Sequence, residues 1–533
     1  MTAGTTTAPF ALATVQPVPE TGGDPALHSN ARIAQLLLIV AILAIAAATT
    51  FLRVWRIDAL GFNGDEAIYS GQGASIANNA DLKQFFPIFR AHPLLFQTAL
   101  SLSYRLGGGD LAARLMAAAT GIATVYLVYA AGRRLYGLRA GLCAALFMAL
   151  MPYHVIVSRQ VLLDAPMVLF ATLTLYTMAR FGTTGRPVWL YASGIALGLT
   201  IITKETGVIL ISAVYAFLAL SPSIRVRVRD IAISVGVMVL TVAPFPLAVL
   251  LSGRSNTGHN YLTWQLFRRP NHGLLFYPET VTDAMGYLVV AAAIVGLWLY
   301  RHNRSWREAL LLSWIAVNVT FFELWPVKGF QYLLPIAPAV AILAGRTVGS
   351  WTPGGVVRVL GLPVRAGLVA GMAIVVIAGS LALPAWDRVQ PSTSDQFLAG
   401  SGGVPGGREA GHWVGENVPE GARMLALGPS MANIIQFYGH RKTYGLSVSP
   451  NPLHRNPSYE AVTNPDRALR NNEIQYIIWD AYSASRSPFF SEGLLRFVAR
   501  YNGTLVHQET VPAHEADGTP VERPVISIYE VRP

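Results

Sequence analysis

Charge is what this sequence most lacks. Of its 533 residues only 13% are Asp, Glu, Lys or Arg, against roughly 25% in a soluble domain. With 53% of residues hydrophobic, the shortfall points to lipid as the main solvent. Cysteine is nearly absent. Cys143 stands alone, which excludes an intrachain disulfide and a cysteine-based metal site; its ordinary role in an apolar stretch is packing. Lysine occurs only at Lys83, Lys204, Lys328 and Lys442. The net charge of +11 comes from arginines in small scattered groups. No basic run exists, so nucleic acid is not an expected partner. No short apolar core with a basic start opens the chain, so no cleaved leader is expected. Residues 1–30, rich in Thr, Pro, Ala and Gly, read as a disordered tail.

Long hydrophobic runs are abundant. A helix needs about 20 apolar residues to cross a bilayer. Eleven stretches approach this: 33–52, 115–131, 140–157, 165–179, 188–203, 206–220, 231–251, 285–300, 309–322, 329–345 and 366–385. The expectation is an α-helical polytopic membrane protein with about eleven spans. Arginine fills alternate loops: Arg133, Arg134 and Arg139; Arg180 and Arg186; Arg225, Arg227 and Arg229; Arg301, Arg304 and Arg307; Arg346, Arg358 and Arg365. Positive loops stay in the cytoplasm. That assigns the amino-terminal tail to the cytoplasm and the region after the last span to the outside, in a multi-pass protein of the plasma membrane.

Composition changes after residue 385. Residues 386–411, rich in Ser, Gly and Pro, read as a linker. Residues 412–533 alternate strand-like runs ("ARMLALG", "IQYIIWD", "GTLVHQE", "VISIYEV") with helix-like ones ("MANIIQFYG", "PDRALRNN", "SEGLLRFVARY"). That pattern predicts a soluble α/β domain outside the membrane, joined to a membrane domain at 31–385.

The eleven stretches contain no Asp, Glu, Lys or Arg, and His154 is their only imidazole. Ion-coupled transport needs ionisable groups at mid-membrane depth, so their absence argues against it. The charges gather instead at the outer helix ends, in four clusters: "GFNGDEAIYSGQGASIANN" with Asp65 and Glu66, "FRAHPLLFQ" with Arg90 and His92, "VSRQVLLDAP" with Arg159 and Asp164, and "ITKETG" with Lys204 and Glu205. Each has a plainer reading. Asp65 and Glu66 follow Asn-Gly and could satisfy a helix start. His92 before Pro93 could be a turn residue. Arg159 and Asp164 could be a structural ion pair, and Lys204 could snorkel to head groups. Their convergence on one face of an apolar bundle is the stronger signal. The outer loop 252–283 adds Tyr261, Trp264, Phe267, Arg268, Arg269, His272 and Tyr277, at least interfacial anchors.

The order of these motifs resembles the GT-C class of membrane glycosyltransferases, within it the protein O-mannosyltransferase and lipid A aminoarabinose transferase superfamily. "DEAIY", "AHPLLFQTAL", "DLAARLMAAATGIATVYLVYAAGRRLYG", "SRQVLLDAPMVLF", "TKETG" and "KGFQYLLPIAPAVAIL" carry the likeness. The resemblance implies transfer of a sugar from a polyprenyl phosphate to an acceptor outside the membrane. It implies Asp65 as catalytic base with Glu66 as its neighbour, Asp164 as the second acidic position, and Lys204 and Arg159 at the carrier phosphate. Tyr69, Glu205, Gln331 and Tyr332 fall in the same motifs and join the candidate site with His92. The chain departs from the mannosyltransferases in having Leu94 after Pro93, and from the aminoarabinose transferases in having Ala91 and His92 where they have Glu-Lys.

The chemistry asks for such residues. An acceptor hydroxyl attacking an anomeric carbon needs a base within hydrogen-bond reach. A phosphate leaving group gains charge and is stabilised by cations; Arg159, Lys204, Lys328 and Arg268 are the available donors. One base and direct displacement would invert the anomeric configuration. Asp65, Asp164 and His92 could also offer ligands to a divalent metal, although their spacing identifies none. The expected enzyme is an inverting hexosyl- or pentosyltransferase acting on a protein, lipid or cell-envelope glycan hydroxyl. The alternatives are a flippase for polyprenyl-linked sugars and a catalytically inactive scaffold.

Overall fold

The computed structural model describes residues 25–89, 92–253, 261, 264–265, 267–268, 270–302, 304–350, 356–359, 362–391, 403–451, 454–456, 458–515 and 517–532. Most of the expected tail, much of the expected linker, Arg90 and Arg269 lie outside them. Two units are distinguished, Met1–Ala44 and Ile45–Pro533. Within the described part of the first, helix α1 (Pro25–Val54) begins; its exposed leucines and isoleucines suit a lipid solvent.

The second unit carries the rest. Its first helices are α2 (Gly64–Ile76), α3 (Ala80–Lys83) and α4 (Leu95–Arg105) in the first loop. There follow α5 (Asp110–Tyr136), α6 (Leu138–Leu150), α7 (Pro152–Ser158), α8 (Asp164–Thr184), α9 (Pro187–Thr203) and α10 (Ile209–Ala219). Later apolar helices span Val228–Val242, Tyr287–Leu299, Trp306–Leu324, Ala337–Gly349 and Ala366–Val389. Each expected stretch is helical, but not every one is a full crossing. Among the described residues, five helices are long and apolar enough to cross a membrane, or up to seven when two bent pairs each count as one. Helices Pro187–Thr203 and Glu205–Ala219 are shorter. The count of eleven is therefore not established by length and composition.

Both bends have local causes. Pro152 cannot donate to the α6 ladder, and α6 and α7 meet at 60°. A break frees carbonyls that lipid cannot satisfy. Buried Arg53 fills the need, donating to the oxygens of Ala149 (3.1 Å) and Met148 (3.4 Å). It also donates to His154 Nδ1 at 2.6 Å, which leaves the imidazole hydrogen on Nε2. The helix Tyr287–Leu299 turns 96° from the preceding one at Gly286, whose φ of +90° favours glycine. A Cβ there would also lie 2.4 Å from Leu381 Cδ2.

The carboxy-terminal region holds a five-stranded sheet in the order β4-β3-β5-β7-β6, with β3 Arg423–Ala426, β4 Lys442–Gly445, β5 Tyr476–Asp480, β6 Thr504–His514 and β7 Pro520–Glu530. The pairs β3–β4 and β3–β5 are parallel, while β5–β7 and β6–β7 are antiparallel. A hairpin of β1 (Val356–Val359) and β2 (Leu362–Arg365) precedes it. The four strands and three helices expected here are present. The short strand β4 and the helices Gly407–Asn417 and Ala481–Arg486 had no distinct sequence signal. The first of these helices begins inside the stretch read as linker.

This α/β region packs on the loop that carries the first motif. Phe437 and Tyr438 meet Phe62 at 5.1 and 6.0 Å between ring centroids. The Tyr438 hydroxyl accepts from the Phe62 amide at 2.9 Å and donates to Asp110 Oδ2 at 3.0 Å. Arg408 pairs with the same carboxylate at 2.7 Å. At Gly64 the approach leaves no room for a side chain, since a Cβ would lie 2.3 Å from Ser430 Oγ.

Candidate functional site

The first motif is fixed at a helix start. Asn63 caps α2: its Oδ1 accepts from the amides of Asp65 and Glu66 at 3.0 Å each, and Glu66 Oε2 accepts from the Asn63 amide at 3.0 Å. This is a reciprocal capping box. It points two adjacent carboxylates in opposite directions. Glu66 is fully buried and takes both bonds of a fork from Arg114, at 2.8 and 2.7 Å. Its Oε1 also accepts from the Val161 amide at 3.0 Å. Asp65 is exposed. The expected pairing of Glu66 with Asp65 in catalysis is thus corrected: every oxygen of Glu66 is committed to holding the loop.

Asp65 stands where two cavities meet. The first encloses about 960 Å³ and the second about 910 Å³, and Asp65 and Gln331 line both. In the first, Lys204 donates to Asp164 Oδ1 and Oδ2 at 2.7 and 2.9 Å and sits 5.1 Å from the Tyr332 ring centroid. Burial pulls the Lys204 ammonium down, but Asp164 more than reverses this and holds it above its ordinary value. His92 Nδ1 lies 2.9 Å from Glu205 Oε2. Burial pushes the Glu205 carboxyl up; His92 and Lys204 overcome it and leave it below its ordinary value. A chain of rings continues the wall, from Tyr69 to His92 (5.9 Å), Tyr261 (5.4 Å) and Trp264 (5.7 Å). Arg268 lies over Trp264 at 4.5 Å. The lining also includes apolar side chains, Ile201, Val208, Ile209, Phe321, Phe322 and Trp325.

Lys328 belongs to the second cavity. Its Nζ pairs with Glu323 at 3.2 Å and lies 5.0 Å from the Tyr277 ring. Arg388, Tyr482 and Arg486 also line this cavity; nothing in the sequence marked them. Arg159 lines neither. Its guanidinium is spent on the Leu52 and Trp55 carbonyls at 2.9 and 2.7 Å, closing the end of α1, so its expected place at a phosphate is corrected. Asp164 is buried under Lys204 rather than open to either space. Among the described residues no group of three or more His, Cys, Asp or Glu is placed to hold a metal. Asp65, Asp164 and His92 do not form the donor set considered from sequence, because Asp164 is engaged by Lys204 and His92 by Glu205.

The helix lining the second cavity has a titratable support. Asp480 is fully buried. Its Oδ1 accepts from the Ser483 amide at 2.7 Å, while Oδ2 has no hydrogen-bond partner among the described residues. Burial pushes its carboxyl up to about 6. A carboxyl raised in the folded state costs stability above that pH and ceases to do so as pH falls toward its unfolded value. Asp480→Asn is therefore expected to raise the melting temperature at pH 8. The gain is at most about 3 kcal/mol at roughly 1.4 kcal/mol per unit, and it vanishes near pH 4. Thermal unfolding of both proteins across that range checks it.

The family model described as dolichyl-phosphate-mannose-protein mannosyltransferase matches residues 91–249. No curated protein sequence matches the chain. Among solved structures, ArnT from Cupriavidus metallidurans in the apo state aligns with a TM-score of 0.66 at 16% identity, covering 94% of this chain and 98% of that one. The same protein bound to undecaprenyl phosphate aligns at 0.62 and 16% identity, covering 92% and 97%. The apo oligosaccharyltransferase of Archaeoglobus fulgidus aligns at 0.56 and 13% identity, covering 91% and 74%. The chain has the GT-C glycosyltransferase fold.

Proposed function

We propose, from this fold, that the chain is an inverting glycosyltransferase. It moves a sugar from a polyprenyl-phosphate carrier to an acceptor hydroxyl on the extracytoplasmic side of the plasma membrane. The observation that carries the reading is the position of Asp65 at the junction of the two cavities. The carrier occupies the first cavity. Its chain lies on the apolar wall, where each buried methylene contributes about 0.8 kcal/mol, and its phosphate faces Lys204 and Arg268. The acceptor enters by the second cavity. Asp65 takes the hydroxyl proton as the oxygen bonds to the anomeric carbon. The bond from that carbon to the phosphate oxygen breaks, and the electron pair leaves with the phosphate. Lys204 and Arg268 are cations lining this cavity that would meet the growing charge, and such charge-assisted bonds strengthen as it develops. The undecaprenyl phosphate bound to the similarly folded ArnT supports a carrier of this class.

The polarity of the helices supports the proposed side of the membrane. Helix α8 begins at Asp164, beneath Lys204, and ends past Arg180; α9 starts after Arg186 and ends at Thr203, next to Lys204. The arginine ends, which stay cytoplasmic, are opposite the site.

The test is release of free polyprenyl phosphate by the purified protein. Supplied with undecaprenyl phosphate carrying mannose, glucose, galactose or arabinose, together with envelope extract, it is expected to free the carrier from at least one. Movement of an intact charged carrier across the bilayer, with no release, would favour a flippase and refute the enzyme.

A further inference from the structure

The α/β region contributes a wall of the first cavity unlike the others. Residues 447–449, 454–456 and 458–459 place Ser447, Ser449, His454, Arg455, Asn456 and Tyr459 along it. These stretches are tied to the sheet and the helices. The Leu446 and Ser447 amides donate to Ala426 and Leu427 at 2.9 and 3.1 Å, continuing beyond β4. Lys442 pairs with Glu460 at 2.7 Å. The Ser458 amide donates to Asn456 Oδ1 at 2.9 Å. Tyr459 packs against the apolar cluster of the helices. Arg455 is half-buried, and no ion pair or hydrogen bond engages it among the described residues.

The lining of the cavity thus holds three kinds of group: apolar side chains, the cations Lys204 and Arg268 with Tyr332, and the polar side chains of the α/β region. A sugar-charged polyprenyl phosphate has three matching parts, an apolar chain, a phosphate and a hydroxylated ring. Buried hydroxyls need hydrogen-bond partners, and the α/β region offers them. Resting on the function proposed above, we infer that the α/β region reads the donor sugar. Arg455 and Asn456 bond its hydroxyls, and Tyr459, near Tyr261, meets the ring. These are specificity residues for a hydroxylated pyranose or furanose on the carrier. They act apart from the phosphate site at Lys204 and from the acceptor cavity.

The experiment compares binding of bare undecaprenyl phosphate with undecaprenyl phosphate carrying mannose, glucose, galactose or arabinose, to the full chain in lipid nanodiscs. The wild-type protein is expected to bind at least one charged carrier tenfold tighter than the bare one. Arg455→Ala should remove at least tenfold of that preference and shift bare-carrier affinity less than twofold, with an unchanged melting temperature. Tyr459→Phe provides a second, milder variant, expected to alter the ranking among the four sugars. The inference is overturned if the wild type prefers no charged carrier. It is also overturned if Arg455→Ala weakens bare and charged carriers equally, or leaves both unchanged. Failure of the wild type to bind even the bare carrier would instead remove the functional reading beneath it.

Discussion

Asp65→Asn is expected to lower transfer by about 10²–10⁴-fold, the range for a lost general base, while expression, melting temperature and carrier binding stay as in the wild type. The side chain is exposed and lines both cavities. Asparagine keeps its size but cannot accept the acceptor's proton. The loss belongs in kcat. Carrier release assayed with saturating donor would show it directly, and transfer within threefold of wild type would remove Asp65 from the mechanism.

The neighbouring carboxylate predicts the opposite phenotype. Arg114→Met is expected to cost about 3–5 kcal/mol, because it strands Glu66 as an uncompensated buried charge. That is a large share of a typical folding stability of 5–15 kcal/mol. Both side chains of the pair are fully buried. Arg114 also donates to the carbonyls of Ile57, Leu60 and Gly61 at 2.9, 2.6 and 2.8 Å, so the whole approach to α2 loosens. The expected result is a collapsed yield of folded protein, with the remnant melting well below wild type. Normal yield and melting with lost transfer would move the pair into the catalytic machinery.

The contrast shows where sequence reading succeeds. "DEAIY" marked the loop and the start of α2, because acidic residues at a helix start are a local signal. It did not separate Asp65 from Glu66. The separation depends on Arg114, 48 residues away, and adjacency in sequence says nothing about which carboxylate a distant guanidinium reaches. The spacing from Asn63 to Glu66 was a legible sign of a capping box and would have made Glu66 structural. Arg159 failed for a related reason. An arginine at a helix end serves either a ligand or stray carbonyls, and only the position of the α1 terminus decides. Lys204 and Asp164 were both named from sequence, yet their mutual contact joins elements 40 residues apart. The helices themselves were legible because apolar runs are local. Their number as crossings was not, since the breaks at Pro152 and Gly286 depend on what fills the freed backbone groups. The share of the α/β region in both cavities left no trace in composition, because Arg455 and Arg486 look like any surface arginine until the fold carries them over the site.

Inverting transfer requires the acceptor hydroxyl and the departing phosphate to occupy opposite faces of the anomeric carbon, with Asp65 beside the hydroxyl. The anomeric configuration of the product, read by NMR against that of the charged carrier supplied, tests this most directly. Inversion is predicted. Retention would require a second displacement and a covalent glycosyl-enzyme, and would contradict a single base placed between two cavities.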